Sequence, residues 1–397
     1  MESPLIYFDN AATSWPKPAE VRAALDAYFG QAGGNPGRSG HRMSIAAARV
    51  VEDARGRLAK LLNVDDPTQV VLTKNATEGL NLAIHGLLRP GDHAVTTSIE
   101  HNSVMRPLRH LESIGVGLTV VACDRSGMLD PDAIRDALRP DTRLLVTTHG
   151  SNVMGSLIPL TDLAAIAHDS GVPYLVDASQ TAGVIPIDVE GQRLDMVAVT
   201  GHKGLLGPTG TGGLYVREGL EIRPLLRGGT GSSSDLEIQP DFMPDAFESG
   251  TLNVLGFAGL AAGIGHILEV GVAQVESHER ALVARFLAGA DRIKRVTTHG
   301  PENLADRCGV LSFNIDGLMP SEVGTLLDQK YNIMSRVGLH CAPGAHKTIG
   351  TFPTGSVRFG FSLANTEAEV DTALSAIEEI SAWAENRTEV EADVDRA

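Results

Sequence analysis

Short β-branched runs alternate with amphipathic stretches from residue 69 to residue 216, and this predicts an α/β protein with a mainly parallel sheet covered by helices on both faces. The residues best suited to chemistry in that region, His101, Asn152, Asp177 and Lys203, all fall at or just past the C-terminal end of a strand-like run. Ligands of such sheets bind there. The last third of the chain mixes strand-like and helical stretches without that alternation, which predicts a smaller α+β lobe.

In order, the strand-like runs are QVVLTK, HAVTTS, GLTVVAC, RLLVTTH, PYLVDAS, MVAVTG and GLYV. Helices are expected from Ala76, through MRPLRHLESIG, at PDAIRDAL and at LTDLAAIAHDSG. Residues 217–254 are rich in Gly, Ser, Pro and Asp and read as a long irregular segment, which is uncommon in a compact domain unless it has a task. A helix is expected from about Gly256 to Val270 and another across HERALVARFLAGADRI. Then come VLSFNID, PSEVGTLLDQKY, IMSRVG, SVRFGFSL and a helix from Glu367. The expected domains are 15–265 for the large lobe and 1–14 with 266–385 for the small one; the acidic tail 386–397 lacks apolar spacing and is expected to be disordered.

With 397 residues, 43% of them hydrophobic, the chain is long enough for one large core and a second smaller one. A net charge of −16 repels phosphate backbones and anionic lipid surfaces, so neither nucleic acid nor a membrane is an expected partner. The start, MESPLIYFDN, has no basic, apolar leader pattern, and the expectation is a soluble cytoplasmic protein. Cys123, Cys308 and Cys341 are too scattered for a disulfide framework or a paired-cysteine metal site.

GTGGLY and GGTGSS lack the third glycine of the dinucleotide fingerprint, and GxxxxGK[ST], GxSxG and HExxH are absent. A different anion cradle remains. Asn75-Ala76-Thr77-Glu78-Gly79 stands where a strand hands over to a helix, and the free backbone N–H groups there suit a phosphate. Thr77 acting only as a helix cap accounts for the same residues. Asp177 ends an apolar strand and needs a cation or a donor opposite it, or else caps the following segment. Lys203, set between Gly-His and Gly-Leu at the end of MVAVTG, has no amphipathic helix to decorate; desolvation there favours the neutral amine, the form that condenses with a carbonyl.

An anion-binding helix start, a strand-end carboxylate and a desolvated lysine are together what a pyridoxal 5'-phosphate site requires. The lysine binds the aldehyde, the helix start takes the phosphate, and the carboxylate keeps the pyridine nitrogen protonated. At an effective dielectric of about 20, one carboxylate beside that nitrogen is worth on the order of 4 kcal/mol, enough to set its protonation state.

NATEGLN, SIEHNSV, SNVMG, VDASQ, TGHKGLLGPTGTGGLYV, FESGTLN and RVGLHCAP occur in this order, framed by YFDNAAT and SVRFGFSLANT. The set resembles the cysteine desulfurase and selenocysteine lyase group of class V aminotransferases, fold-type-I pyridoxal phosphate enzymes with a seven-stranded large-domain sheet. The resemblance implies that Lys203 is the Schiff-base lysine, that Asp177 pairs with the pyridine nitrogen, that Gln180 bonds the ring hydroxyl and that His101 stacks on the ring. It further implies a phosphate held by Ala76, Thr77, Thr200 and His202, with Thr251 reaching over from the second subunit of a homodimer. Asn152, Arg336 and Arg358 would lie near the substrate carboxylate, Arg358 foremost because guanidinium binds carboxylate in bidentate fashion. His101 as a packing histidine and Arg358 as a strand-edge surface charge are the plainer readings of those two residues.

Cys341 sits in SRVGLHCAPGAHKTIG, a loop in which a thiol is accessible and positive charge on His340 and His346 would lower its pKa. Cys123 and Cys308 read instead as small buried hydrophobes. No carboxylate or second thiol accompanies His340, Cys341 and His346, which weighs against a metal. The implied activity is a cysteine desulfurase: L-cysteine becomes L-alanine, Cys341 takes the sulfur as a persulfide, and an acceptor protein removes it. The short interval from Cys341 to Arg358 resembles the short-loop branch of the family. The competing expectations are a selenocysteine lyase or C–S lyase that needs no persulfide, an aminotransferase, and a non-catalytic partner in sulfur transfer.

Overall fold

The computed structural model describes residues 4–37, 40–233, 235 and 237–394, with side chains up to residue 386. The chain opens with the two-residue strand β1 (Ile6–Tyr7) and helices α1 (Ala19–Gln31) and α2 (Arg42–Leu61), the last two lying ahead of the first run read from the sequence. Seven strands follow: β2 (Val70–Thr73), β3 (His93–Thr97), β4 (Gly117–Val121), β5 (Thr142–Thr148), β6 (Tyr174–Asp177), β7 (Met196–Thr200) and β8 (Gly212–Val216). Helices α3 (Ala76–Leu87), α4 (Asn102–Glu112), α5 (Pro131–Ala137) and α6 (Leu160–Asp169) stand between them. The strands form one sheet in the order β2-β8-β7-β6-β5-β3-β4, parallel except that β8 runs antiparallel to both β2 and β7.

Alternate residues of these strands enter two separate cores. Val95, Leu145, Val176, Val197 and Tyr215 pack with α2, α6 and the later helix α7 (Val254–Val270), while Ala94, Leu144, Leu175, Ala198 and Leu214 pack with α3 and α4. Because strand side chains alternate with a period of two, each strand must be apolar on both faces, and the runs read from the sequence are.

Helix α7 crosses behind the loop that carries Lys203. A Cβ on Gly263 would stand 2.5 Å from the Leu205 carbonyl oxygen and one on Gly204 would stand 2.6 Å from that of Ala182, so small residues let helix and loop close together. Residues 217–253 form no helix or strand among those described, and the sheet edge holds them in place. Arg55 donates to Glu248 at 2.7 Å and to the Val70 carbonyl at 2.6 Å, while Glu248 accepts the Leu72 N–H at 2.6 Å. Each charge of this buried pair meets its partner and strand backbone, while Arg55 Nε stays buried without a hydrogen bond, 3.5 Å from Glu52.

Helix α8 (Val272–Ala290) leads to the second lobe, which contains β9 (Val296–His299), β10 (Val310–Ile315), α9 (Pro320–Tyr331), β11 (Ile333–Met334), β12 (Arg336–Gly338), α10 (Pro343–Ile349), β13 (Ser356–Gly360) and α11 (Glu367–Val394). An antiparallel sheet, β12-β13-β10-β9, packs with α8, α9 and α11 through Phe286, Phe313, Phe359 and Ile377. Strand β1 pairs in parallel with β11, and Phe8 lies against Phe359 and Phe361.

Two elements differ from the sequence reading. IMSRVG is two strands in different sheets rather than one run, broken at Ser335. Helix α8 begins at Val272, six residues before the HERALVARFLAGADRI stretch, because Gly271 at φ +90 ends α7 and turns the chain there. The backbone of the acidic stretch from residue 386 is drawn as a continuation of α11 through Val394. The last three residues of that stretch, 395–397, lie outside the described residues.

Candidate active site

The strand ends of the large sheet open onto a cavity of about 260 Å³. His101, Asn152, Asp177, Gln180, Thr200, His202, Lys203, Ala76, Thr77, Arg336 and Arg358 all line it. The second lobe contributes the arginines and the first lobe the rest.

One wall is built from two helix starts. Asn75 accepts the Glu78 N–H at 2.9 Å and Glu78 accepts the Lys74 N–H at 2.6 Å, a reciprocal cap that fixes the first turn of α3. His101 caps α4 by accepting the Ser103 N–H on Nδ1 at 3.0 Å. That bond places the ring proton on Nε2. Burial pushes His101 down to about 4, with Asp177 opposing and Lys203, Arg336 and Arg358 reinforcing, so the ring is neutral at pH 7. Thr77 and Ser103, one from each first turn, join hydroxyls at 2.8 Å.

Beside this wall Thr200 Oγ1 and His202 Nδ1 are buried without a hydrogen-bond partner. Buried polar atoms are rarely left so. The open first turn of α3, the hydroxyls of Thr77 and Ser103 and two unpartnered polar atoms suit a bound phosphate, which fits the pyridoxal 5'-phosphate expectation.

Deeper in, Asp177 is 3% exposed and accepts the Ser179 N–H and hydroxyl on Oδ1, leaving Oδ2 with no partner among the described residues. Gln180 donates to the Ala11 carbonyl at 3.1 Å. Burial lowers Lys203 to about 8 against the pull of Asp177, and Arg358 and Arg336 add to the lowering. A substantial neutral fraction of the amine is therefore present near pH 8.

The plainer reading of Arg358 as a strand-edge surface charge fails. The residue is 1% exposed on an interior strand, donates to Asp9 at 2.8 Å and to the Asn152 carbonyl at 3.0 Å, and leaves Nε buried without a partner. Its cross-strand partner is Arg336. Like charges directly opposite repel, so the pair suits an anion such as a substrate carboxylate.

Cys341 is exposed at the rim, and Arg336 Nη2 donates to its Sγ at 3.5 Å. His340 and Cys341 both adopt left-handed backbone, φ +49 and +59, a conformation costing roughly 1–2 kcal/mol per residue. Three hydrogen bonds hold it: Asn152 to the His340 carbonyl at 2.7 Å, the Asn102 N–H to the Cys341 carbonyl at 2.8 Å, and the Ala342 N–H to the Leu339 carbonyl at 2.9 Å.

The expectation that His340 and His346 bring positive charge to the thiol is overturned. Burial pushes them down to about 2 and about 4, so both rings are neutral and Arg336 supplies the cation. Cys123 and Cys308 are buried and pushed up to about 12, as inert interior thiols. Thr251 does not reach this cavity; it is exposed at another depression, with Lys74, Glu78 and Leu226.

Ser103, Ser179 and Asp9 were missed. Their motifs, SIEHNSV, VDASQ and YFDNAAT, stood in the sequence, but only the fold reveals that Ser103 meets Thr77 and that Asp9 crosses between lobes to Arg358.

This fold and this cavity define a member of the class-V aminotransferase family, to which the chain belongs: the family matches residues 6–373. The chain is 37% identical over 384 residues to a probable cysteine desulfurase of Methanothermobacter thermautotrophicus, covering 95% of this chain and 94% of that protein. It is 32% identical over 386 residues to a cysteine desulfurase of Haloferax volcanii, covering 95% and 89%. Among solved structures, it superposes on the apo cysteine desulfurase of Thermococcus onnurineus NA1 with a TM-score of 0.89 at 37% identity, covering 95% and 94% of the two chains. The cysteine desulfurase CsdA of Escherichia coli, in an S-sulfonic acid form, gives 0.85 at 29% identity, covering 94% of each.

Proposed function

We propose that the protein is a pyridoxal 5'-phosphate-dependent cysteine desulfurase that converts L-cysteine to L-alanine and carries the released sulfur on Cys341. The observation that supports it most is a solvent-reachable thiol, in contact with a guanidinium, at the mouth of a cavity that holds a depressed lysine and a strand-end carboxylate.

The first turns of α3 and α4, with Thr200 and His202, would hold the phosphate, Asp177 the ring nitrogen and Lys203 the aldehyde. When bound, the cofactor supplies an electron sink for bonds broken at the substrate's α and β carbons. Arg358 and Arg336 orient the substrate carboxylate. The Lys203 amine, when free, takes the Cα proton, which its lowered pKa permits near neutral pH. Cys341, with the Arg336 guanidinium against its sulfur, attacks the substrate Sγ; the new S–S bond forms as the Cβ–S bond breaks, and its electron pair returns to the alanine skeleton, which is then protonated. The persulfide on Cys341 is exposed to an acceptor. We place the enzyme in the cytoplasm as a homodimer, with Thr251 completing the partner's phosphate site.

The test is mass spectrometry after brief exposure to L-cysteine. One added sulfur on the Cys341 peptide, lost in Cys341→Ala together with alanine formation, supports the reading. Sulfide release that persists in Cys341→Ala makes the protein a lyase instead.

A further inference from the structure

We propose that Thr351, His346 and His340 form a one-way hydrogen-bond chain that positions Arg336 and the left-handed backbone at Cys341, making His346 and Thr351 positioning residues for the thiol. The chain of contacts is continuous. Thr351 Oγ1 lies 2.7 Å from His346 Nδ1, His346 Nε2 lies 3.2 Å from His340 Nδ1, and His340 Nε2 lies 3.3 Å from the Arg336 carbonyl oxygen. Arg336 in turn donates from its guanidinium to Cys341 Sγ.

The carbonyl sets the direction. It can only accept, so the His340 proton is on Nε2, and a neutral His340 then offers a lone pair on Nδ1. His346 must donate from Nε2, which leaves its Nδ1 to accept the Thr351 hydroxyl. Each ring nitrogen has one role, and reversing any bond would leave two donors or two acceptors facing each other.

Both rings are buried, His340 at 3% exposure and His346 fully, and their charged and titratable neighbours disfavour a further proton. His340 faces Arg358 from β13, Arg336 from β12 and His346 from α10, while His346 faces His299 from β9. The chain therefore stays neutral while conveying rigidity from α10 to β12. Without it the carbonyl side of Arg336 and the His340 ring lose their tether, and the strained residues 340 and 341 can relax away from the guanidinium.

The role of Cys341 as sulfur carrier rests on the function proposed above, so the experiment reads the thiol itself. Alkylation of Cys341 by iodoacetamide is followed by peptide mass spectrometry in the full-length chain, Cys123 and Cys308 being buried. His346→Phe fills the site without donor or acceptor; it is expected to slow alkylation by about fivefold or more. His346→Gln retains an N–H donor and is expected to recover most of the rate. A folded His346→Phe with the parent rate, or a His346→Gln as slow as His346→Phe, overturns the proposal. Should His346→Phe not fold, nitrogen-15 NMR of histidine-labelled parent protein decides: both rings are expected as neutral Nε2–H tautomers from about pH 5.5 to 8. An Nδ1–H tautomer at either ring, or titration inside that window, overturns it. The sulfur-transfer assay of Cys341→Ala bears on the proposed function alone, because alkylation rate and histidine tautomer are both read on chains that keep Cys341.

Discussion

The hydroxyls of Thr77 and Ser103 meet at 2.8 Å although they come from the first turns of two different helices, α3 and α4. The first N–H groups of α4 are already taken by His101 and by the Cys341 carbonyl, so α3 supplies the open donors, and the contact sets the positive ends of the two helix dipoles side by side, where an anion would be held. Removing both hydroxyls, Thr77→Val with Ser103→Ala, is expected to weaken pyridoxal 5'-phosphate binding about tenfold or more, since a hydrogen bond to a charged group is worth roughly 1.5–3 kcal/mol. Titration of visible absorbance against added cofactor measures it. An unchanged dissociation constant would place the phosphate elsewhere.

Arg336 is the cation in contact with the Cys341 sulfur. Arg336→Gln is expected to slow alkylation of Cys341 at neutral pH by about threefold or more, in line with the effect of a neighbouring cation on a thiol's reactivity. The iodoacetamide rate, read by peptide mass spectrometry, measures this. An unchanged rate would mean that the guanidinium does not govern the sulfur.

Arg358 carries a second expectation. Arg358→Lys keeps the charge facing Asp9 but loses the planar fork, so KM for L-cysteine should rise by on the order of tenfold or more. Steady-state alanine formation reports it, with a thermal melt alongside to separate lost binding from lost stability. A KM that stays put would remove Arg358 from carboxylate recognition.

Glu279 is buried on α8 without a hydrogen-bond partner among the described residues, and burial pushes its carboxyl up to about 8. The folded state therefore holds a proton that the unfolded chain releases near pH 4.5. Its contribution to stability is complete below that pH and is lost as pH rises toward and through about 8. Glu100, which accepts the Thr148 N–H at 2.8 Å, is raised to about 8 as well and adds to the same slope. Glu279→Gln should flatten the fall in Tm between pH 6 and 9 and raise Tm at pH 8.5 by on the order of 2 °C. Parallel Tm curves for the two proteins would refute the assignment.

Much of the site was legible because strand ends in a doubly covered sheet converge, so Asp177 at the end of β6 and Lys203 just past β7 were placed in one crevice by order alone. The glycines around Lys203 marked a lysine with no surface to decorate. The surroundings of Cys341 were misread, because sequence proximity of two histidines says nothing about their burial, and burial decides whether an imidazole carries charge. The partner of Arg358 was equally hidden: Asp9 is 349 residues away in sequence, and no local pattern encodes a contact of that separation. The helical spacing of Ala47, Val51, Ala54 and Leu58 made α2 legible although it went unread, whereas α1 buries only Val21 and offers little periodic contrast.

Strand β1 pairs with β11, and Asp9 bridges to Gly360 and reaches Arg358. A chain emerging from the ribosome makes these residues well before the strands they need. The sheet and its helices can assemble while synthesis proceeds, but β1 and Asp9 must wait for more than three hundred further residues before they find their place. Closure of the Asp9–Arg358 corner is therefore a late event of biogenesis, and a ribosome-stalled chain ending before β11 should show the large sheet formed and residues 4–9 still open to proteases.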